Sequence, residues 1–338
     1  MNRTLLLLLA VLLLGGFAWW ATTAGTTPES ISDRSPDRQF GIASFDEDVH
    51  RIFIADRNGH KVTLSRGGIT GWLADGRPAN ENIMKNLRDA ATNLKVKSLS
   101  AEKAKPYMIK DLATSGILVQ LFDKEGQKLR GYYIGGGTHD ELGTHAIVEG
   151  SEEPYVVGMP FFTGSVRAIF GMWGDEWRDK VYFRINPDEV ESLSIEYPTQ
   201  RNRSFVLTKT KGKFRVAPFY ETGQPVKEVS DGRAEGILAR YESYYINSYE
   251  NTDTETAAYA KTILPFANIT VKEAGKVPQT ISIFPRYLGE TRIDDGKSTN
   301  EVSSAELQAY TAFVNDGQDW ALLNVETTRP LLVSYQSF

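Results

Sequence analysis

Apolar and polar residues alternate from Val49 to Leu64, VHRIFIADRNGHKVTL, on both sides of Asn58-Gly59. A period of two predicts strands, and Asn-Gly between two alternating runs predicts a tight hairpin in which Val62 and Leu64 answer Ile52 and Ile54. Trp72 falls on an expected third strand that Arg77-Pro78 breaks. From Asn80 to Leu94 the period lengthens: Ile83, Leu87, Ala90, Ala91 and Leu94 stand at helical spacing with polar residues opposite. A short helical piece from Ala101 to Lys105 is expected to end at Pro106. Two strands follow, Ile117 to Leu121 and Leu129 to Ile134, about a turn at Glu125-Gly126.

The same order of elements recurs downstream. Val190, Leu193 and Ile195 match Val49, Ile52 and Ile54; Phe205 and Leu207 match Val62 and Leu64; Phe214 stands for Trp72. A second amphipathic helix begins near Asp231 and carries Ala234, Ile237, Leu238, Tyr241 and Tyr245 on one face. A second short helix, Glu255 to Lys261, ends near Pro265. Ile269 and Val271 then match Val119 and Leu121, and Gln279 to Phe284 matches Leu129 to Ile134. Matched elements in one order point to an internal duplication. Ser303-x-x-Glu306 reads as a capping box opening a helix with Leu307, Tyr310, Phe313 and Val314, before a closing strand from Trp320 to Val325. Leu331-Leu332-Val333 reads as a last strand or a docking tail.

The expected class is therefore α+β: two tandem, duplicated lobes of mostly antiparallel sheet with packed helices, after an N-terminal transmembrane helix. The expected boundaries are an anchor or signal segment over 1–25, a linker over 26–44, a first lobe over 45–184, a second over 185–328 and a tail over 329–338. The anchor rests on the run from Leu5 to Ala21, LLLLLAVLLLGGFAWWA, behind Arg3. With its mild flanks it reaches about 20 residues, enough to cross a hydrocarbon core, and Phe17, Trp19 and Trp20 sit where an aromatic belt lies. A cleaved signal peptide is the competing reading, because the strongest core, Leu5 to Ala18, is short. Either way the bulk of the chain is delivered across the membrane, and an uncleaved anchor places it at the inner (cytoplasmic) membrane, single-pass, facing the periplasm.

Composition narrows the chemistry. The 338 residues are 41% hydrophobic and 24% charged, net −5, with basic residues scattered. Nucleic acid needs a basic stripe, so it is not an expected partner. There is no cysteine, which excludes disulfides, thiolate metal sites and cysteine nucleophiles. His139, Asp140, Glu141 and His145 lie within seven residues and supply the imidazoles and carboxylates that a metal site needs. The two histidines are six apart rather than the four that share a helix face, and Gly135-Gly136-Gly137 and Gly143 suggest a solvated hairpin loop instead. The glycines lack the Lys-Ser/Thr ending of a phosphate loop, and no G-x-S-x-G elbow occurs. No catalytic residue and no cofactor is assigned. Two apolar stretches are candidate interaction surfaces. One is Met159 to Trp173, an apolar helix candidate with Phe161, Phe162, Ile169, Phe170 and Trp173; the other is the tyrosine strip with Tyr241 and Tyr245.

Tyr132-Tyr133-Ile134-Gly135, Tyr155-Val156-Val157 and Trp177-Arg178-Asp179-Lys180-Val181, in this element order, resemble the DUF4340-type domain family of bacterial membrane-anchored envelope proteins. The likeness spans roughly 45–325; Ile109-Lys110-Asp111-Leu112 replaces that family's Tyr-Gly-Leu-x-x-Pro opening. The resemblance implies a non-enzymatic, membrane-tethered component of an ABC-type export or motility-associated complex, with ABC transporter subunits as partners, and supplies no catalytic residues. The alternatives are an envelope hydrolase, or a polysaccharide- or lipid-binding protein with its site between the lobes.

Overall fold

The computed structural model describes residues 35–160, 162–287 and 307–338. The expected anchor, the proposed capping box and Phe161 lie outside them. The chain divides between Gly174 and Asp175 into two compact units. That point comes before the expected 184/185 boundary because Val181–Phe183 pairs with Tyr244–Tyr245, inside the second unit. The class is α+β: among the described residues, two nine-stranded antiparallel sheets carry short helices. No helix among the described residues is long and apolar enough to cross a membrane.

In the first unit the strands are β1 (Arg51–Ala55), β2 (Lys61–Arg66), β3 (Trp72–Ala74), β4 (Arg77–Pro78), β5 (Lys95–Leu99), β6 (Ile117–Phe122), β7 (Lys128–Gly137), β8 (Thr144–Val148) and β9 (Tyr155–Gly158). The helices are α1 (Phe45–Asp48), α2 (Glu81–Asn93), α3 (Lys105–Ser115) and α4 (Arg167–Phe170). The β1–β2 hairpin forms as the alternation predicts, pairing Ile52 with Leu64 and Ile54 with Val62, and Gly59 takes the positive φ of the turn. Asn80 caps α2 by accepting from the Asn82 and Ile83 amides, and Met84, Leu87, Ala90 and Ala91 bury one face. The sheet order is β4-β3-β2-β1-β6-β7-β8-β9-β5.

The second unit follows with β10 (Val181–Phe183), β11 (Val190–Glu196), β12 (Phe205–Thr210), β13 (Lys213–Pro218), β14 (Lys227–Val229), α5 (Asp231–Leu238), β15 (Tyr244–Tyr245), β16 (Ser248–Tyr249), α6 (Thr254–Ala260), β17 (Ala267–Glu273), β18 (Gln279–Tyr287), β19 (Leu307–Val314) and β20 (Asp319–Leu323). Its large sheet runs β14-β13-β12-β11-β17-β18-β19-β20-β16. Every strand of the first sheet has a counterpart at the same place and in the same chain order, and α2 and α3 correspond to α5 and α6. Register fixes the equivalence. Val119 pairs with Tyr132 as Ile269 pairs with Ile281, and Ile134 pairs with Ala146 as Ile283 pairs with Ala312. Gln279 to Phe284 is therefore one residue out of step with Leu129 to Ile134, a slip that assigns side chains to the wrong face.

Five expectations need correction. The second amphipathic helix ends at Leu238 and does not reach Tyr245, which lies on β15 and pairs with Val181. Pro106 opens α3 instead of ending a helix: in the first turn its missing N–H costs nothing. Gly135, Gly136 and Gly137 lie in β7, not in a loop. Among the described residues of the segment from Met159 to Trp173, the α-helix covers only α4, since Gly164 at φ +112 stops a longer one. The helix expected through Leu307, Tyr310, Phe313 and Val314 is strand β19. Tyr310, Ala312 and Val314 alternate into the core, and over so short a run the two periods overlap. The chain end is a docking tail: Leu331 and Tyr335 are buried, the Tyr197 hydroxyl donates to the Val333 carbonyl, and Tyr241 donates to that of Leu331.

Ile195→Ala, at a fully buried site paired with Phe205 and Ile269, is expected to destabilise the protein by about 2–5 kcal/mol. Ile69→Ala, 76% exposed, is expected to change stability by less than about 0.5 kcal/mol. Urea unfolding monitored by circular dichroism measures both.

Candidate functional site

In the first unit, α3 lies over β7 and β8 and carries Tyr107, Asp111 and Ser115 at i, i+4 and i+8, one helical face. Asp111 Oδ2 accepts from the Gly136 amide at 2.7 Å and sits 3.2 Å from His145 Nδ1; Oδ1 accepts from Ser115 Oγ at 2.7 Å. Burial alone would raise the Asp111 pKa, but the Gly136 amide, the Ser115 hydroxyl and the His145 ring together hold it below the usual carboxylate range. Glycine at 135 makes this contact possible, because a Cβ there would stand 2.7 Å from Asp111 Oδ2 and 3.2 Å from the His145 Cβ. Arg167 on α4 closes the arrangement from below. Its guanidinium donates to the Ile134 carbonyl of β7 at 3.0 Å and to the Ser115 carbonyl at the end of α3 at 2.6 Å.

His145 is thus a buried residue of strand β8, 8% exposed, with its Nδ1 taken by Asp111. Its Nε2 makes no hydrogen bond among the described residues and keeps contact with solvent. The Tyr107 ring, 67% exposed, stands edge-on to the imidazole at 6.0 Å and 85°.

The other members of the predicted gathering are placed apart from this pair. His139, Asp140 and Glu141 are exposed in the β7–β8 loop, where Asp140 Oδ1 takes the Thr138 hydroxyl and the Leu142 amide. Among the described residues no three His, Asp or Glu side chains converge as metal ligands do. Of the interaction candidates, Phe170 and Tyr241 are wholly buried, Ile169 is half-buried, and Phe162 (38%) and Tyr245 (57%) are exposed. Trp173 is half-buried and stacks on His60 at 5.4 Å. Sequence reasoning missed Asp111, because a helix ended at Pro106 leaves it no face to share with Tyr107 and Ser115.

A second polar cluster is buried in the second unit. Arg178 grips Asp319 through two parallel bonds of 2.9 and 2.8 Å, also reaches Asp175, and lies 3.7 Å over the Tyr249 ring. Asn315 and Asn251 donate to the two Asp319 oxygens at 2.7 and 2.9 Å. Burial alone would raise the Asp319 pKa; the bonds from Arg178, Asn315 and Asn251 outweigh it and hold the carboxyl far below its ordinary range. Both Asp319 oxygens are taken by protein donors, so the cluster fastens the entry of the second unit to β20, with Arg178 Nε a buried donor that finds no partner among the described residues. An open cleft of about 590 Å³ beside α1 and α2 is lined by Asp46, Glu47, Arg88 and Asp89, with Arg88 3.3 Å from Asp46 Oδ2.

Asp319→Ala leaves the buried Arg178 guanidinium with Asp175 as its remaining carboxylate partner, with an expected loss of about 3–5 kcal/mol in chemical denaturation. A carboxyl whose folded pKa is depressed stabilises the fold above its unfolded pKa, near 3.8 here, and that stability drains away as pH falls toward the folded value. Acid titration below about pH 4 is therefore expected to cost the wild type more stability than Asp319→Asn. Equal acid sensitivity of the two chains overturns this assignment.

No family model matches the chain, and neither the curated proteins nor the solved structures contain a match to it.

Proposed function

We propose that this chain is a duplicated, membrane-tethered extracytoplasmic protein serving as an accessory or binding component of an ABC-type export or motility-associated envelope complex. The observation that carries it is the apolar run from Leu5 to Ala21 standing ahead of two units built on one strand order. An anchor with a Thr-, Ser- and Pro-containing stretch behind it, 22–35, holds folded units near a membrane surface while leaving them free to engage a partner. Duplication supports the same reading. A repeated sheet offers two similar surfaces on one tether, and linked surfaces raise the effective concentration of the second contact. The Tyr132–Gly135, Tyr155–Val157 and Trp177–Val181 motifs supply the resemblance that points to the transporter-associated class.

Deleting residues 1–25 is expected to move the protein from the detergent-extractable membrane fraction to the soluble fraction. Protease added to intact spheroplasts is expected to digest the full-length chain from outside. Retention of the deleted chain in the membrane pellet, or protection from external protease, overturns the tethered reading. Affinity purification of the full-length chain in mild detergent is expected to recover transporter ATPase or permease subunits. Recovery of neither, under conditions that keep known membrane complexes together, overturns the accessory role.

A further inference from the structure

The two units differ at one equivalent place. Phe284 and Thr311 in the second correspond to Gly135 and His145 in the first, one step beyond the pairs Ile283–Ala312 and Ile134–Ala146. In the second unit that outer face is filled by apolar groups: Phe284, Phe313 and Trp320 pack together, with Ala260 of α6 buried against them. The fold is therefore satisfied by hydrophobic packing under this helix. The first unit instead clears the space with glycine and installs a carboxylate, an imidazole and a hydroxyl. Replacing such a buried polar group by apolar residues is commonly neutral or stabilising, so stability does not account for the polar choice.

We infer that His145, held by Asp111 and flanked by Tyr107, is a binding site for a neutral, hydroxyl-rich ligand of carbohydrate type. In the tautomer that carries its proton on Nδ1, His145 donates to the Asp111 carboxylate and presents Nε2 as an acceptor. Among the described residues that nitrogen has no protein donor, and it selects a ligand that brings one. The Tyr107 ring supplies an exposed apolar wall roughly perpendicular to the imidazole, which fits the C–H face of a sugar ring. An anionic ligand would meet the Asp111 carboxylate behind the ring. A metal cation would need donors that do not converge here. A neutral polyol has neither difficulty. This inference stands apart from the tethering proposal: it concerns one face of the first unit and holds or fails whatever partner the full chain recruits.

The test is histidine-ring 1H–15N correlation spectroscopy on the full-length protein in detergent micelles, with His145 assigned by its loss in His145→Gln. The probes are chitotriose, maltotriose and cellotriose, with inorganic phosphate and Zn2+ as charged comparisons. At least one sugar is expected to shift the His145 Nε2 signal in a saturable way while the other three histidines stay fixed. Tyr107→Ala, at an exposed position that leaves folding intact, is expected to weaken that sugar about tenfold. Asp111→Asn is expected to weaken it while altering the Nδ1/Nε2 tautomer pattern, which a merely structural role would not do. A His145 signal that none of the three sugars moves, one moved only by phosphate or zinc, or a response unchanged in Tyr107→Ala overturns the inference.

Discussion

Each sheet depends on one seam. The strands before α2 form a meander, β1 through β4, and those after α3 form a second, β6 through β9; only the β1–β6 pairing joins them. Ile52 opposite Leu121 and Ile54 opposite Val119 set that seam, all four side chains fully buried. The second unit closes the same way, with Leu193 opposite Val271 and Ile195 opposite Ile269. Side chains alternate between faces, so a one-residue slip here would turn the apolar face of four strands to solvent. The pairing also spans a long stretch of chain, with α2, β5 and α3 formed between its partners, which makes it the costly, non-local contact of each unit. The face on which α3 lands, and so the meeting of Asp111 with Gly135, Gly136 and His145, follows from that register.

Strong local periodicity made much of this fold legible. The β1–β2 hairpin, α2 with its Asn80 cap and the β6–β7 hairpin rest on local signals that tertiary contacts reinforce. The recurrence of strand order was readable because both seams use the same β-branched and leucine pattern. What escaped had weak or divided signals. β5, with only Val96 buried, is an edge strand of Lys95, Lys97 and Ser98 that carries no alternation. α3 was lost to Pro106, a residue that breaks a helix interior and starts a helix equally well. β19 was lost because Tyr310, Phe313 and Val314 fit a helical spacing as well as a strand. The run of glycines at 135–137 suggested a loop; its purpose is close approach of a helix, which only the fold reveals.

The two buried polar clusters are built by different logic. At Arg178–Asp319 each charge is bidentate, the carboxylate takes two further amide donors, and Trp320 is drawn in through the Asn251 carbonyl. The bidentate pairing fixes one geometry even though Arg178 Nε itself finds no acceptor among the described residues, and losing Asp319 takes away the main counter-charge of a guanidinium held in the interior. It joins segments far apart in sequence, the residues just after Gly174 and the start of β20. That geometry suits a permanent fastening.

At Asp111–His145 the satisfaction is deliberately one-sided. The carboxylate is fully engaged, by an amide, a hydroxyl and an imidazole, while the imidazole itself is engaged at one nitrogen only. A fastening has no use for a spare acceptor, and a core position has no use for an exposed tyrosine beside it. Where the same fold needs only packing, at Phe284, Phe313 and Trp320, it uses packing. The difference between the units is thus a difference between a face closed by aromatic contact and a face that keeps one nitrogen oriented and open. Gly135 is the residue on which that difference turns, because any side chain there displaces Asp111 from the ring it positions.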